Sequence, residues 1–254
     1  MIACAFGSIF KKNELRKVQK MKTGILLNLA LFFALALARG EEAIYSKRRM
    51  EMVELLKSPR YGIKDEGVLK AMTETPRHEF VRKGEQSRAY EDHPLPIGFG
   101  QTISQPFIVA FMTEALKLKP TDRVLEVGTG SGYQAAVLAH LVKEVYSIEI
   151  VEGLAKQAAK TLKRLGYENV KTKWGDGYQG WPDAAPFDAL IVTCAPDKVP
   201  QALVDQLKEG ARMIIPVGRA GGVQELYVLE KKAGKVKRKA VMPVRFVPMT
   251  GGKN

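Results

Sequence analysis

Apolar positions recur along this chain in two rhythms. In the first, they fall at helical spacing. Within Glu41 to Lys57, residues Ile44, Met52, Val53, Leu55 and Leu56 can gather on one side, and Ser58-Pro59 ends the run. Asp65 can cap a second helix carrying Val68, Leu69 and Met72, which stops before Pro76. These two helices are expected to cover an edge of a sheet. Pro94, Pro96, Gly98 and Gly100 then break the pattern and predict a loop. Pro106 suits the first turn of a helix, Phe107 to Leu116, with Ser104 or Gln105 near its cap.

From residue 123 the rhythm changes to short apolar runs alternating with helical stretches. Val124–Val127, Val145–Ile150, Val170–Trp174, Phe187–Thr193 and Ala211–Val217 read as strands. Glu152–Leu165, closed by Gly166, and Pro200–Leu207 read as helices. Gln224–Lys231 and Val236–Val247, turning at Ala233-Gly234, read as a closing β-hairpin whose strand order the pattern leaves open. Alternation of this kind predicts an α/β fold with a doubly wound parallel sheet. There is no internal repeat.

The first strand runs straight into Gly128-Thr129-Gly130-Ser131-Gly132, and a helical pattern with Ala135, Ala136, Leu138 and Ala139 follows. Glycines allow a sharp turn and close approach of a ligand to the backbone. Free amides at the helix start would suit an anionic or polar group. A dinucleotide fingerprint needs Gly-x-Gly-x-x-Gly. Here the third glycine comes one residue early and Tyr133 stands in the last glycine's place, which speaks against a nicotinamide dehydrogenase.

Composition adds limits. The 254 residues suffice for one large domain or one domain with an extension, and 46% hydrophobic with 26% charged residues is ordinary for a globular enzyme. Cys4 and Cys194 make no disulfide framework, and the latter reads as a packed thiol. His78, His93 and His140 have no zinc spacing, so no metal is expected. The net charge of +13 raises a nucleic-acid partner as an alternative. Much of it lies in the first 49 residues, where ten basic residues face three acids, and the cluster Lys231 to Lys239 reads as a solvated face.

Residues 1–40 read as a targeting segment. Lys20 and Lys22 precede an uncharged run, Thr23 to Ala38, and Ala36-Leu37-Ala38 offers a cleavage site. The run is short for a spanning helix. An uncleaved anchor, a non-native extension and a true start at Met21 are the alternatives. Membrane contact is expected only through residues 23–38.

Ordered motifs through the rest of the chain resemble one family. Glu126-x-Gly128-x-Gly130-x-Gly132 resembles the first motif of class I S-adenosylmethionine-dependent methyltransferases. Thr75-Pro76-Arg77-His78-Glu79-Phe80-Val81, Ala89-Tyr90-Glu91-Asp92 and Ile97 to Pro106 resemble protein-L-isoaspartate O-methyltransferases. So do Val192-Thr193-Cys194-Ala195-Pro196, Pro200 to Leu203, Asp205 to Leu207, Pro216-Val217-Gly218 and Arg245 to Thr250. The resemblance covers about residues 48 to 250, and the N-terminal 40 depart from it.

That resemblance implies a Rossmann-like class I methyltransferase domain over residues 41–254, with N-terminal helices and an active-site loop to 120 and the cofactor-binding sheet beyond. It implies S-adenosyl-L-methionine as methyl donor. The substrates would be L-isoaspartyl sites in peptides and in unfolded or aged proteins, and a monomer is expected. Ser104 becomes the active-site residue; without the resemblance it reads as a helix-cap serine beside Pro106. Thr102 and Ile103 would supply backbone contacts. Gly128, Gly130 and Ser131 would form the cofactor turn, and Glu126 would reach the methionine end. Glu149, ending the second strand, would accept hydrogen bonds from the ribose hydroxyls. Asp176 would hold the adenine amino group, Gly177 would leave room for the ring, and Thr250 would close the pocket. Other acceptors, RNA or a different protein, stay open because fold does not fix function. Thr193-Cys194-Ala195-Pro196 lacks the Asn/Asp-Pro-Pro-Tyr/Phe of base-amino methyltransferases. A binding module would show damaged cofactor positions, and none is seen. The family implies the cytoplasm, whereas Thr23–Ala38 suggests export or anchoring.

Overall fold

The computed structural model describes residues 40–252. The signal-like run Thr23–Ala38 lies outside them. The unit from Arg48 onward carries the sheet, and residues 40–47, which belong to the other unit, are helical. Among the described residues no helix is long and apolar enough to cross a membrane.

Helix α1 ends at residue 57. Helix α2, Glu66–Glu74, starts on Asp65, whose Oδ1 accepts the Val68 amide at 3.0 Å. It buries Val68, Leu69, Ala71 and Met72 against two other helices, α3 (Pro106–Leu116) and α4 (Tyr133–Ala139). It therefore thickens one face of the fold instead of covering a sheet edge.

The expected loop at residues 94–100 is a two-stranded ribbon. Strands β1 (Leu95–Gly98) and β2 (Gln101–Ile103) pair antiparallel. Pro96 is tolerated because a two-stranded ribbon has an unpaired outer edge on each strand.

The main sheet contains β3 (Arg123–Val127), β4 (Glu144–Glu149), β5 (Val170–Trp174), β6 (Phe187–Val192), β7 (Leu207–Val217), β8 (Gln224–Lys232) and β9 (Lys235–Val244). Their spatial order is β5-β4-β3-β6-β7-β8-β9. The first five are parallel, and β8 and β9 close the sheet antiparallel. β3 is central, and four of its residues in a row are buried, as a strand covered on both faces requires. Helices α3, α4 and α5 (Glu152–Arg164) lie on one face. The short helix α6 (Gln201–Asp205) and the 3₁₀ turns at Gly177–Gln179 and Pro182–Ala184 cover the other, around Leu125, Phe187, Leu190, Leu203 and Met213.

The basic cluster has a local use. Lys231 Nζ donates to the carbonyls of Val204 and Leu207 at 3.1 and 2.8 Å. Lys235, Lys237 and Lys239 alternate along the outer strand β9, where charge disfavours pairing with another sheet edge.

Candidate active site

The chain winds from β3 outward to β5, then crosses back to β6, so the sheet reverses direction beside β3. Ligands of such sheets bind beyond the carboxyl ends of the strands at this point. A cleft of about 570 Å³ opens there, bordered by Gly128 and Gly130 after β3, Glu149 and Ile150 after β4, and Gly177 after β5.

Gly128 has φ 98°, and a Cβ on it would overlap Thr193 Oγ1. A Cβ on Gly177 would overlap Val127 Cγ1. Both positions leave bare backbone along the cleft.

The amides of the glycine turn are not free. Gly130 N donates to Glu149 Oε2 at 2.8 Å, and Gly132 N donates to the Thr129 carbonyl at 2.8 Å. Glu149 Oε1 accepts the Val151 amide at 2.9 Å. The anion at this turn is the protein's own carboxylate. A pyrophosphate would meet an occupied amide and a like charge, whereas neutral hydroxyls would meet acceptors with lone pairs to spare.

Glu126 projects from β3 to the other side of the turn and is fully buried. Ser147 Oγ donates to its Oε2, and Thr129 Oγ1 lies 2.6 Å from Ser147 Oγ. Its Oε1 has no hydrogen-bond partner. Burial pushes its pKa up to about 8; the Ser147 bond opposes the shift and the Glu149 charge adds to it. Glu126 borders a second cavity of about 340 Å³, shared with Ile103, Ser104, Ser131 and Tyr133.

A third hollow, about 930 Å³, opens past Ser104 and is lined by Ile108, Val223, Arg245 and Phe246 among others. Thr102 and Thr193 border all three spaces, and Ser104 borders the second and third. The two threonines thus join the cleft to the groove. Ser104 does not cap α3. The Phe107 amide is given to Asp92 Oδ1 at 2.8 Å, so the cap comes from the preceding segment and leaves the serine hydroxyl to the groove.

The family model of protein-L-isoaspartate(D-aspartate) O-methyltransferase matches residues 47–254. The chain belongs to this family. A protein-L-isoaspartate O-methyltransferase of Opitutus terrae is 56% identical over 89% of this chain and 96% of its own length. One from Gloeobacter violaceus is 54% identical over 78% and 97%. A solved protein-L-isoaspartate O-methyltransferase superposes with a TM-score of 0.74 at 35% identity, covering 80% of this chain and 66% of that one. A Plasmodium falciparum structure described as a β-aspartate methyltransferase, in complex with S-adenosyl-L-homocysteine, gives 0.69 at 30% identity, covering 79% and 97%. The class I methyltransferase fold expected from the motifs is the fold observed.

Set against the family's expected site, most residues converge. Thr102, Gly128, Gly130, Glu149, Gly177 and Thr250 border the cleft. Ile103, Ser104, Glu126 and Ser131 border the adjoining cavity. Asp176 differs. Its Oδ1 accepts the Tyr178 amide at 2.9 Å and its Oδ2 the Gly252 amide at 2.7 Å, and it does not border the cleft. Its neighbour Gly177 does. Thr193 is the residue that motif reading left without a role. Its Oγ1 donates to the Gly128 carbonyl at 2.6 Å and so fixes the glycine turn from β6. Its place directly after the strand beside the switch point was the available signal. Cys194 also borders the cleft, and burial with the nearby Glu149 and Glu126 charges pushes its thiol up to about 12, which keeps it un-ionised and packed.

The β1–β2 ribbon reaches across to α5. Phe99, at φ 53° and 58% exposed, lays its ring where a Gly153 Cβ would be, with Cε1 at 2.9 Å. Gln101 on the ribbon and Val151 ahead of α5 both border the cleft, so this contact spans its mouth. Gly153→Ala is expected to have two opposite effects. Alanine raises helix stability by up to about 1 kcal/mol. Displacing Phe99 weakens S-adenosylhomocysteine binding by roughly threefold to tenfold, about 1 kcal/mol. Thermal denaturation and calorimetric titration check the pair, and an unchanged affinity would separate the ribbon tip from the cleft.

Proposed function

We propose that this chain transfers the methyl group of S-adenosylmethionine to the α-carboxylate of L-isoaspartyl residues in peptides and in aged or unfolded proteins. The observation that carries the reading is that Thr102 and Thr193 border cleft, cavity and groove alike while Ser104 borders the cavity and the groove, in a chain of this family. The groove suits an extended peptide, and Arg245 on its lining suits an anionic acceptor.

The residues present fit the cofactor. Glu149 holds two backbone amides and keeps lone pairs for the ribose hydroxyls. Gly128, Gly130 and Gly177 give room, and Ser131 lies within the turn at the adjoining cavity. The unpartnered Oε1 of Glu126 suits the methionine ammonium. Thr102 and Ile103 offer backbone contacts, and Thr250 closes the outer side. Asp176 takes a supporting role, tying Gly252 down beside Thr250.

When bound, the cofactor supplies an electrophilic methyl on a sulfonium. The acceptor is already ionised at neutral pH. No general base is needed, and the protein's contribution is alignment and exclusion of water. Ser104 orients the acceptor carboxylate or its adjoining peptide. Carboxylate oxygen forms the new bond to carbon as the carbon–sulfur bond breaks. The methyl ester then loses methanol as the following amide nitrogen closes a succinimide, which reopens partly to normal aspartate.

The test uses labelled S-adenosylmethionine and two peptides differing only in L-isoaspartyl versus L-aspartyl. Base-labile label on the isoaspartyl peptide alone is expected, with Ser104→Ala lowering kcat by about tenfold (~1.4 kcal/mol). No label on either peptide with S-adenosylhomocysteine binding retained would redirect the reading to RNA or another protein acceptor. The proposal takes residues 41–254 as one catalytic domain acting in the cytoplasm as a monomer. N-terminal sequencing of the native protein tests the location: cleavage after Ala38 would overturn it.

A further inference from the structure

Ser104 occupies the short link between β2 and α3, which has no regular structure to hold it. Gln105, at the helix cap, makes no capping bond of its own. Two charged side chains outside the cleft, cavity and groove hold this link instead.

The first is Arg77, in the 3₁₀ turn Arg77–Phe80, and it is fully buried. Its Nη2 donates to the Ser104 carbonyl at 2.7 Å and its Nε to the Ala89 carbonyl at 2.7 Å. The guanidinium lies 4.8 Å over the Tyr133 ring, and Nη1 has no partner. The second is Asp92. Its Oδ1 accepts the Phe107 amide at 2.8 Å and its Oδ2 accepts Gln105 Nε2 at 3.1 Å. The Tyr61 hydroxyl also hydrogen-bonds it, which holds that phenol's pKa up. Carbonyl 104 is therefore held by Arg77, and residues 105 and 107 by Asp92.

A buried guanidinium held mainly by carbonyls is a poor way to stabilise a fold. Taking the charge out of water is costly, and an apolar side chain of similar size would fill the space with less penalty. Burial accordingly pulls the Arg77 pKa below its usual value. What the guanidinium provides, and an apolar residue cannot, is direction: its rigid fork fixes two carbonyls about one plane.

We infer that Arg77 and Asp92 together form a clamp that positions Ser104 for methyl transfer. Neither touches substrate or cofactor, so both are positioning residues. The inference rests on the proposed activity for its kinetic consequence, and on the geometry alone for its structural one.

Four variants test it: Arg77→Met, Arg77→Lys, Asp92→Ala and Asp92→Asn. Arg77→Met and Asp92→Ala are expected to lower kcat on the isoaspartyl peptide by 10- to 100-fold (on the order of 1.4–2.8 kcal/mol). S-adenosylhomocysteine Kd and cofactor KM should stay within about threefold, because the clamp lies outside the cofactor cleft. Asp92→Asn should recover most of the rate, since its oxygen still accepts the Phe107 amide and a flipped Gln105 can accept from its nitrogen. Arg77→Lys should recover less, because an ammonium cannot hold both carbonyls in a plane. Hydrogen exchange gives a second readout: amides of residues 101–107 should exchange faster in Asp92→Ala while those of β3 and β6 do not. Equal loss in Asp92→Asn and Asp92→Ala, loss of rate in step with cofactor affinity, or unchanged exchange in the link would each overturn the clamp. A wild-type chain inactive on the isoaspartyl peptide would overturn the activity reading instead, and hydrogen exchange would still decide the clamp. Should Arg77→Met not fold, the half-buried Asp92 pair carries the test alone.

Discussion

Gly128→Val is expected to lower S-adenosylhomocysteine affinity by at least about 100-fold, measured by titration calorimetry. Two effects add at this one position. The backbone sits at φ 98°, where a β-branched residue is strained by about 1–3 kcal/mol. The new side chain also meets Thr193 Oγ1, which must leave its bonds to the Gly128 and Val127 carbonyls at 2.6 and 3.1 Å. The one hydroxyl hydrogen shared between them contributes about 1 kcal/mol. The sum reaches a few kcal/mol, and each 1.4 kcal/mol is tenfold in affinity. Relief can come only by moving the turn or Thr193, and both border the cleft. Gly166→Ala is the control. That glycine has φ 81° with open space around it and ends α5 away from the cleft. Its replacement should lower the melting temperature and leave the affinity unchanged. If both variants bind S-adenosylhomocysteine normally, the glycine turn after β3 is not the cofactor's cradle.

The difference between these two glycines was only partly legible in the chain. Buried strands such as β3 and β6 read as apolar runs each broken by a single acid, Glu126 and Asp188, and the readings fall within a residue of the observed ends. Glu149 is expected at the cofactor from its place at the end of the second strand together with the family resemblance. What stayed hidden depended on partners distant in sequence. Asp92 caps a helix that starts at Pro106, and no local pattern reports a cap from that far back. Thr193 meets Gly128 only because β6 pairs with β3. Asp176 stands after β5 as the pattern implies, but the partner that orients it, the amide of Gly252, lies 76 residues on. The ribbon β1–β2 was read as a loop because Pro96 and its glycines disfavour a strand interior, whereas an isolated pair with two outer edges accepts them. Local chemistry was readable, and cross-strand chemistry was not.

Glu126→Gln is expected to stabilise the fold and weaken cofactor binding at the same time, both in a pH-dependent way. In the unfolded chain this carboxyl ionises near its ordinary value of 4.5; in the fold, burial first of all moves that to about 8. Below pH 4.5 both states keep the proton and the shift has no effect on stability. Between 4.5 and 8 the unfolded chain has released its proton and the native one has not, so stability falls as pH rises, by up to about 1.4 kcal/mol per unit. Above 8 the loss is complete and constant. Glutamine has the same shape and no proton to lose. Thermal denaturation should therefore show the variant gaining on the wild type from pH 5 to pH 8, reaching a few kcal/mol on this linkage. Parallel curves would mean that Glu126 is already ionised in the ligand-free fold. Binding should move the other way. At pH 8 the variant loses a charge-assisted partner for the methionine ammonium, roughly a 10- to 100-fold fall in S-adenosylhomocysteine affinity. At pH 6 the gap should narrow, because the wild-type carboxyl must first release a proton, and calorimetry in buffers of different ionisation enthalpy should detect that release. A carboxylate buried in the central strand with one oxygen unpartnered is a net cost to the fold. On the proposed function, a cation that arrives with the ligand would account for its place there.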